Sequence, residues 1–429
     1  RAGGEETETN MATTKKGVEI LLGGLGSAPK QSELVLVGCG QATVTVDAQA
    51  LRKLKAEKEE SQPAFTTGDA GLPVSPENKI PAPVARIAVV LKILELLKGA
   101  NKVRAALVKL LQNLLNENAV PELSLQGSGS GFGAFVTKLD QAFTLTDVEK
   151  SILLTTKTIT NAYAVICTEA SRQLLSLSTG VASLSSEACS ADMRFLDQAA
   201  LESYGNKFVN TAGMELRGVL DGSSILSSSK GKKHEAFSEI PFVHAIASQI
   251  WAELSKSVNV ELTNPQGSFI LGKDSLSVQA SSIQSLLLPF VESILKVVSL
   301  SIGRTGELLS ALKASSENSQ VVGELVNFIS RHYETTKERH GNAYEQASRF
   351  AASMLKDQGG VDCQPNVAGL SAAAVTDGLH QALLLEAFAA VSLLRIKQGV
   401  KLEAVPEPKA EEENPADKKK KKKKEKKKK

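Results

Sequence analysis

The sequence predicts an all-α fold of long helices, with a small mixed part near the N-terminus. Apolar residues recur every three or four positions over long segments, which is the spacing of a buried helix face. The chain is 42% apolar but only 4% aromatic, so its core must consist of Leu, Val, Ile and Ala. At 429 residues, the chain can form one large helical domain or a few average ones.

The N-terminal part shows three changes of composition. Residues 1–32 are polar and Gly-rich, and we expect a disordered arm there. The stretch 33–46, ELVLVGCGQATVTV, is rich in β-branched residues and predicts a short strand or hairpin. We expect Asp47 to cap a helix, because a helical repeat follows it. The Pro- and Gly-rich stretch 61–83 predicts a loop.

Six segments then carry strong helical spacing. Several are apolar on more than one face, which is typical of helices inside a bundle. We expect them to build one helical domain over residues 33–400. The segments are 84–99, 103–115, 147–180, 241–262, 279–315 and 367–398.

The C-terminal segment 401–429 is of low complexity and predicts a disordered tail. Its last twelve residues hold eleven Lys and one Glu, and without them the net charge of +3 becomes −7. Lysine runs bind polyanions through counterion release, so RNA, DNA, acidic protein and anionic lipid are all open as partners. Nuclear targeting is the alternative interpretation. The predicted polyanion-binding residues are Lys418, Lys419, Lys420, Lys421, Lys422, Lys423, Lys424, Lys426, Lys427, Lys428 and Lys429.

Cysteine and histidine usage predicts no metal site. The four cysteines lie far apart and form no CxxC pair, which favours reduced thiols in a cytoplasmic protein. His332 and His340 are eight residues apart, or about 12 Å along a helix, which is too far for one metal ion. We expect Trp251 and Cys167 to belong to the core. No run of eighteen apolar residues occurs, so we expect no membrane span.

The stretch 123–135, LSLQGSGSGFGAF, has three possible roles. A phosphate-binding loop would need a preceding strand and a Lys-Ser or Lys-Thr pair, and both are missing here. A flexible linker would rarely carry the apolar side chains Phe132, Phe135 and Val136. The third possibility is the remnant of a catalytic loop, and the flanking sequence supports it.

These flanks resemble the aromatic amino acid ammonia-lyases, the histidine and phenylalanine ammonia-lyase family. Four further segments resemble that family in the same order, namely 64–71, 149–158, 260–269 and 364–372. The resemblance implies an aspartase-like long-helix bundle over roughly residues 35–400. The matching positions in the flanks are Arg86, Gly99, Val103, Arg104, Leu115, Asn116, Val120, Pro121, Gly127 and Ser128.

The same comparison argues against catalysis. The family cyclises Ala-Ser-Gly into a methylidene-imidazolone, and the central Ser must lose its hydroxyl as water. Here the triad falls on Gly131, Phe132 and Gly133, and Phe cannot supply that chemistry. A shift by two residues would place Gly-Ser-Gly at 129–131, but the spacing is then wrong. We therefore expect no cofactor, and we expect Phe132 to fill the emptied pocket.

Five other catalytic positions also differ from the family. The tyrosine base falls on Pro63, and the active-site Asn falls on Thr156. A second Tyr and a carboxylate-binding Arg fall on Glu235 and Ser238, and an Asp falls on Thr263. Ser cannot form the planar bidentate clamp that Arg provides. The resemblance thus implies an inactive module, while an active lyase with an unusual prosthetic group stays the alternative.

The lysine-rich tail adds a further resemblance. Lysine-rich extensions are attached to eukaryotic cytosolic aminoacyl-tRNA synthetases, and plant-type histidine–tRNA ligases resemble this arrangement, with a lyase-like region ahead of the synthetase core. This resemblance implies an N-terminal appendage close to tRNA. A free-standing adaptor that binds nucleic acid through its tail is the alternative. Members of the lyase family assemble through their long helices, so a homo-oligomer is expected.

Overall fold

The computed structural model describes residues 18–24, 28–54, 80–98, 103–120, 123, 132–154, 157–227, 230–263, 268–271, 274–277, 282–315, 320–341 and 364–398. Helices account for most of these residues, and the prediction of an all-α fold is confirmed. The strands within them form two separate two-stranded sheets.

The small mixed part at the N-terminus is a βαβ unit followed by a short helix. Val18 pairs with Ala42 and Leu22 with Val46, so the two strands run parallel. Parallel strands need a crossover connection, and the first helix provides it. The elements are β1 (Val18–Leu22), α1 (Gln31–Gly38), β2 (Ala42–Val46) and α2 (Ala48–Lys53).

Two expectations for this part were wrong. Residues 18–22, assigned to a disordered arm over 1–32, form β1, and residues 33–38, assigned to a strand or hairpin, belong to α1. Leu34 and Val37 are three residues apart and buried, so packing of one helix face overrides the β-branched composition. The cap at Asp47 is confirmed, because its side chain accepts a 3.0 Å hydrogen bond from the backbone of Gln49.

In the ranges that the structure describes, the body of the protein consists of helices and one short hairpin, β3 (Ser268–Leu271) with β4 (Asp274–Ser277). The predicted long helices are confirmed, except that the segment 147–180 is divided into two helices. The helices are α3 (Ala82–Lys98), α4 (Ala105–Asn116), α5 (Gly133–Ala142), α6 (Asp147–Leu153), α7 (Lys157–Cys189), α8 (Gln198–Ser203), α9 (Lys207–Val219), α10 (Glu235–Ser238), α11 (Ile240–Thr263), α12 (Ser282–Ser315), α13 (Gln320–Gly341) and α14 (Gln364–Lys397).

The helices α7, α12 and α14 pack against one another, and a buried ion pair joins them. Arg304 Nε donates to Glu386 Oε1 over 2.6 Å, and both side chains are fully buried. The hydroxyls of Ser185 and Ser301 each donate to the Glu386 carboxylate over 2.6 Å. Arg304 also donates to the carbonyl of Ala236 over 3.2 Å. Buried charges are tolerated only with such partners, so this network fixes how the helices align.

Among the described residues, two helices are long and apolar enough to cross a membrane, in contrast to the expectation of no such segment. They are α12 and the part of α14 from Ala372 to Lys397, with mean hydropathies of 1.8 and 1.4. About half of each apolar window is buried against other helices of the bundle. Their apolar character is therefore accounted for in part by the protein core.

Candidate functional site

The glycine stretch leads into α5 at Phe132, which is fully buried. Its ring meets that of Phe135 edge to face, with the ring centres 5.7 Å apart. Lys92 Nζ lies 5.4 Å from the centre of the Phe132 ring, within the range of a cation–π contact. Phe132 is thus held in the core on more than one side, while its role in filling an emptied pocket stays a prediction. The rest of the stretch, including Gly131, lies outside the described residues.

Lys92 is an unusual residue for this position, because it is a fully buried lysine on the apolar helix α3. Its ammonium donates to Glu95 Oε2 over 2.9 Å and to the carbonyl of Ile152 over 3.0 Å. Burial lowers the pKa of Lys92 from its ordinary value, and the Glu95 carboxylate counteracts this shift. Glu95 also accepts a 3.2 Å hydrogen bond from the hydroxyl of Thr158, at the start of α7.

The first turns of α7 carry two buried polar groups that have no hydrogen-bond partner within the described part of the chain. They are Asn161 Oδ1 and Tyr163 Oη. Burial raises the pKa of Tyr163 to about 12, and the nearby Cys167 adds to the shift. Unsatisfied buried polar groups are rare and point to a constrained or functional site. Neither residue was predicted from the sequence, although a polar Asn in an apolar helix start was a visible signal.

A buried carboxylate anchors α6 beside this region. Glu149 is fully buried and accepts hydrogen bonds from Arg104 Nε at 3.0 Å and Arg104 Nη2 at 2.6 Å. It also accepts from the backbone amides of Arg104 and Thr146, both at 3.0 Å. Burial opposes ionisation, but these donors outweigh it and lower the pKa of Glu149. The pair fixes the loop before α4 against the start of α6.

Comparisons with known proteins identify this architecture. Residues 138–266 match the sequence profile of the family described as "Aromatic amino acid lyase". That segment of the chain is similar to the aromatic amino acid lyases. The profile match covers less than a third of the chain, while the fold agreement extends over nearly all of it. A search of curated proteins finds no match.

Solved structures share the fold at low sequence identity. Histidine ammonia-lyase from Trypanosoma cruzi aligns with a TM-score of 0.68 at 14% identity, covering 90% of this chain and 86% of that one. Phenylalanine ammonia-lyase from Rhodosporidium toruloides aligns with a TM-score of 0.67 at 14% identity, covering 89% of this chain and 70% of that one. Tyrosine aminomutase from Streptomyces globisporus aligns with a TM-score of 0.67 at 14% identity, covering 89% of both chains. The aspartase-like fold predicted from the resemblance is therefore confirmed.

The other positions carried over from the lyases are only partly described. Pro63 and Thr156 lie outside the described residues. Glu235 and Ser238 lie exposed on the short helix α10, and the Ser238 hydroxyl donates to its own helix, to the carbonyl of Glu235. Thr263 is the exposed last residue of α11, and its hydroxyl donates to the carbonyl of Asn259 over 2.8 Å. These three side chains are thus on the surface, and the hydroxyls of Ser238 and Thr263 bond to their own helices.

Thr263 also borders an open surface groove of about 490 Å³ along α11. Trp251, Ser255 and Asn259 line the same groove. The amide of Gln31 donates to Asn259 Oδ1 over 3.0 Å and to the carbonyl of Ser255 over 2.9 Å. These bonds attach α1 to α11, so polar groups along the groove hold the N-terminal unit in place.

The remaining expectations concern histidine, tryptophan and cysteine. Trp251 packs against the core and donates from Nε1 to the carbonyl of Thr168 over 2.8 Å, as expected. Cys167 is buried, which raises its pKa to about 12. His332 is exposed and lies against the Phe328 ring. Within the described residues, no three His, Cys, Asp or Glu side chains form a metal-binding group. The tail lysines 418–429 lie outside the described residues.

Proposed function

We propose that this chain is a catalytically inactive lyase-type module with an RNA-binding tail, appended to a cytosolic histidine–tRNA ligase. The burial of Phe132 is the observation that carries the inactive part of the proposal. The lyases need a Ser hydroxyl at this position, because its loss as water creates the electrophile. The benzyl group of Phe132 has no leaving group, and the packed Phe135 and Lys92 side chains leave it no freedom.

The surroundings of Phe132 support the same conclusion. An electrophilic ring would need a site that admits a substrate, yet Phe132 is 0% exposed and Phe135 is 1% exposed. Ser238, at the position of the carboxylate-binding Arg, is exposed and bonded to its own helix. The groups that would form the electrophile, admit the substrate and bind its carboxylate are thus replaced separately. No single change would restore them.

A second candidate, a lyase with an unusual prosthetic group, has one observation in its favour. Asn161 Oδ1 and Tyr163 Oη are buried at the start of α7 and have no hydrogen-bond partner among the described residues. A carboxamide and a phenol of this kind are suited to binding or proton transfer. The alternative triad Gly-Ser-Gly at 129–131 would have to supply the electrophile.

The near-ultraviolet spectrum of the purified chain separates these two candidates. A methylidene-imidazolone gives an absorbance band that the ordinary residues lack, and borohydride removes it. We expect no such band, no mass loss from dehydration at 129–133, and no ammonia released from His, Phe or Tyr. A band together with ammonia release would establish an active lyase and overturn the inactive module.

The tail is tested by titrating the chain with tRNA over a series of salt concentrations. The matched control replaces residues 418–429 with a Gly-Ser segment of equal length. We expect the tail to supply most of the affinity, with a steep salt dependence, because each phosphate neutralised lowers the logarithmic slope by about 0.7–0.9. Equal binding and equal slopes for both chains would overturn the RNA-binding role.

The attachment to a ligase is tested on the transcript. A reading frame that continues past the codon for Lys429 into a class II synthetase core supports the appendage. A stop codon directly after it overturns the appendage and favours the free-standing adaptor. Neither result depends on the spectrum or on the tRNA titration, so each part of the proposed function fails or stands separately.

A further inference from the structure

The loop before α10 concentrates positive charge on the surface. Lys230, Lys232 and Lys233 lie within four residues of sequence, and all three are exposed. No other window of four residues in the described part of the chain holds three Lys or Arg side chains. Without the lysine run at 418–429 the net charge of the protein is −7, so this cluster stands against an acidic background. We call Lys230, Lys232 and Lys233 the basic loop.

Neighbouring carboxylates neutralise the basic loop only in part. Lys232 forms an ion pair with Glu307. The Arg194 guanidinium lies 2.8 Å from Asp192, and with a smaller contribution from Lys233 it lowers the pKa of that carboxyl to about 2. Lys233 itself forms no ion pair with any described residue. Its charge therefore remains for a further anionic group.

The end of α14 lies beside the basic loop. Lys397 Nζ donates to the carbonyl of Ala188 over 2.6 Å and to the hydroxyl of Ser190 over 3.3 Å. The carbonyl of the same Ser190 accepts a 3.0 Å hydrogen bond from the backbone amide of Lys232. Because the described part of α14 ends at Gln398, the C-terminal segment leaves the body next to the basic loop.

Residues 401–417 join α14 to the lysine run and are acidic. They hold six carboxylates and two lysines. Glu411, Glu412 and Glu413 are consecutive, and we call them the acidic triplet. Glu411 comes thirteen residues after Gln398, and thirteen extended residues span up to about 45 Å. The basic loop is therefore within reach of the triplet, and such a tether gives an effective concentration on the order of millimolar.

We propose that the acidic triplet docks on the basic loop of the same chain. An RNA phosphate would also suit these lysines, but it has no tether and must compete with carboxylates already held nearby. Pairing of the triplet with the lysine run would leave the basic loop uncompensated, whereas docking matches opposite charges on both segments. Exposed ion pairs are individually weak, so the contact depends on three charges acting together on each side.

Docking fixes where the lysine run leaves the body. Lys418 follows Glu413 by five residues, or at most about 18 Å. The run then begins on the side of the protein that carries α10 and the end of α14, whatever polyanion it binds. The contact involves no lyase step and no RNA, so it stands or fails separately from the proposed function.

Carbodiimide cross-linking of the full chain, without RNA, tests the contact. The reagent joins a Lys amine to a Glu carboxyl as an amide, with loss of water, only where the two groups touch. Peptide mass spectrometry should find links between the basic loop and the acidic triplet. Their yield should be independent of protein concentration. It should fall at least about threefold between low salt and about 0.5 M salt, because exposed charges are screened.

Charge reversal in the loop identifies the residues. Lys230→Glu/Lys233→Glu should lower the yield of links from Lys232 to the triplet at least about fivefold. Lys207→Glu/Lys256→Glu is the matched control, since it changes the net charge equally at exposed positions outside the loop. It should keep the yield within about twofold of the parent. All substituted residues are exposed, so circular dichroism should show folded variants.

Reversal of both segments restores opposite charges. When Glu411→Lys/Glu412→Lys/Glu413→Lys is combined with the loop double variant, links should reappear between positions 230 or 233 and the triplet positions. A parent without links, a yield that rises with protein concentration, a loop variant that links as well as the parent, or a combined variant without links would each overturn the docking. If the parent shows no links and the loop variant loses tRNA affinity, the basic loop binds phosphate instead.

Discussion

Lys92 Nζ lies 5.4 Å from the centre of the Phe132 ring, and both side chains are fully buried. The ammonium is held by Glu95 and by the carbonyl of Ile152, so it cannot move away from the ring without leaving buried partners unpaired. Phe132 and Lys92 are thus both part of the structural core in this chain.

Replacing the buried Phe132 ring should destabilise the protein. We expect Phe132→Ala to lower the free energy of unfolding by about 3–5 kcal/mol, because it removes a buried ring and leaves a cavity beside a buried charge. Urea unfolding followed by circular dichroism measures the change. Phe208→Ala is the control, since Phe208 is 39% exposed on α9, and it should cost much less. Equal losses for both variants would show that Phe132 is not a packing residue.

Removing the Tyr163 hydroxyl, which has no hydrogen-bond partner within the described part of the chain, should have the opposite effect. We expect Tyr163→Phe to be as stable as the parent or more stable by about 1 kcal/mol, since a buried hydroxyl without a partner is a cost. The pKa of Tyr163 is raised to about 12 from an ordinary value of 10.0. The contribution of the protonated Tyr163 phenol to the free energy of unfolding is therefore complete below pH 10 and is lost as the pH rises toward 12.

Chemical denaturation between pH 9 and 12 tests the raised pKa of Tyr163. The parent chain should lose stability more steeply over this range than Tyr163→Phe. Tyr204→Phe is the control, because Tyr204 is 47% exposed, and it should keep the slope of the parent. A marked loss of stability in Tyr163→Phe would instead show that the hydroxyl has a partner that matters.

The helical periodicity of the sequence predicted the bundle but not its polar interior. Lys92 interrupts an otherwise apolar face of α3, and Glu386 interrupts one in α14, so each was visible as an anomaly. Their partners were not visible, because Arg304 is 82 positions from Glu386 and Ile152 is 60 from Lys92. Spacing along one helix cannot reveal pairs that depend on how helices align.

The same limitation explains the error at α1. Leu34, Val35, Leu36 and Val37 form a short apolar run, and its composition favours a strand. The parallel pairing of β1 with β2 requires a crossover between them, and burial of Leu34 and Val37 on one face favours a helix for that crossover. β1 had to be recognised, in a stretch that appeared disordered, before α1 could be predicted as the crossover. Missing the strand β1 therefore led to the wrong assignment of α1.

His244 should make the fold sensitive to acid. Burial, with a contribution from Arg304, lowers the pKa of His244 to about 3 from 6.5. Between these values the unfolded chain binds a proton that the folded chain does not, so stability falls as the pH decreases through this window. The slope should be about 1.4 kcal/mol per pH unit.

The acid dependence is measured by urea unfolding at several pH values between 6.5 and 4.5. His244→Gln should flatten the slope, whatever its stability at neutral pH. The exposed His332 provides the control, and His332→Gln should keep the slope of the parent. An unchanged slope in His244→Gln would show that the imidazole already carries its proton in the folded chain.

The Arg304–Glu386 pair should be costly to break but not to replace. Glu386→Leu leaves a fully buried guanidinium without its carboxylate and should lower the free energy of unfolding by about 3–5 kcal/mol. Arg304→Met should be similarly damaging, because it leaves the carboxylate with only the hydroxyls of Ser185 and Ser301. The double variant removes both charges together and should recover most of the loss.

A double-mutant cycle by urea unfolding gives the coupling energy. The exposed pair Arg172–Glu169 is the control, with a coupling of at most about 1 kcal/mol. Additive losses at Arg304 and Glu386 would mean that the two charges are stabilised independently, and that α12 and α14 are aligned by packing alone.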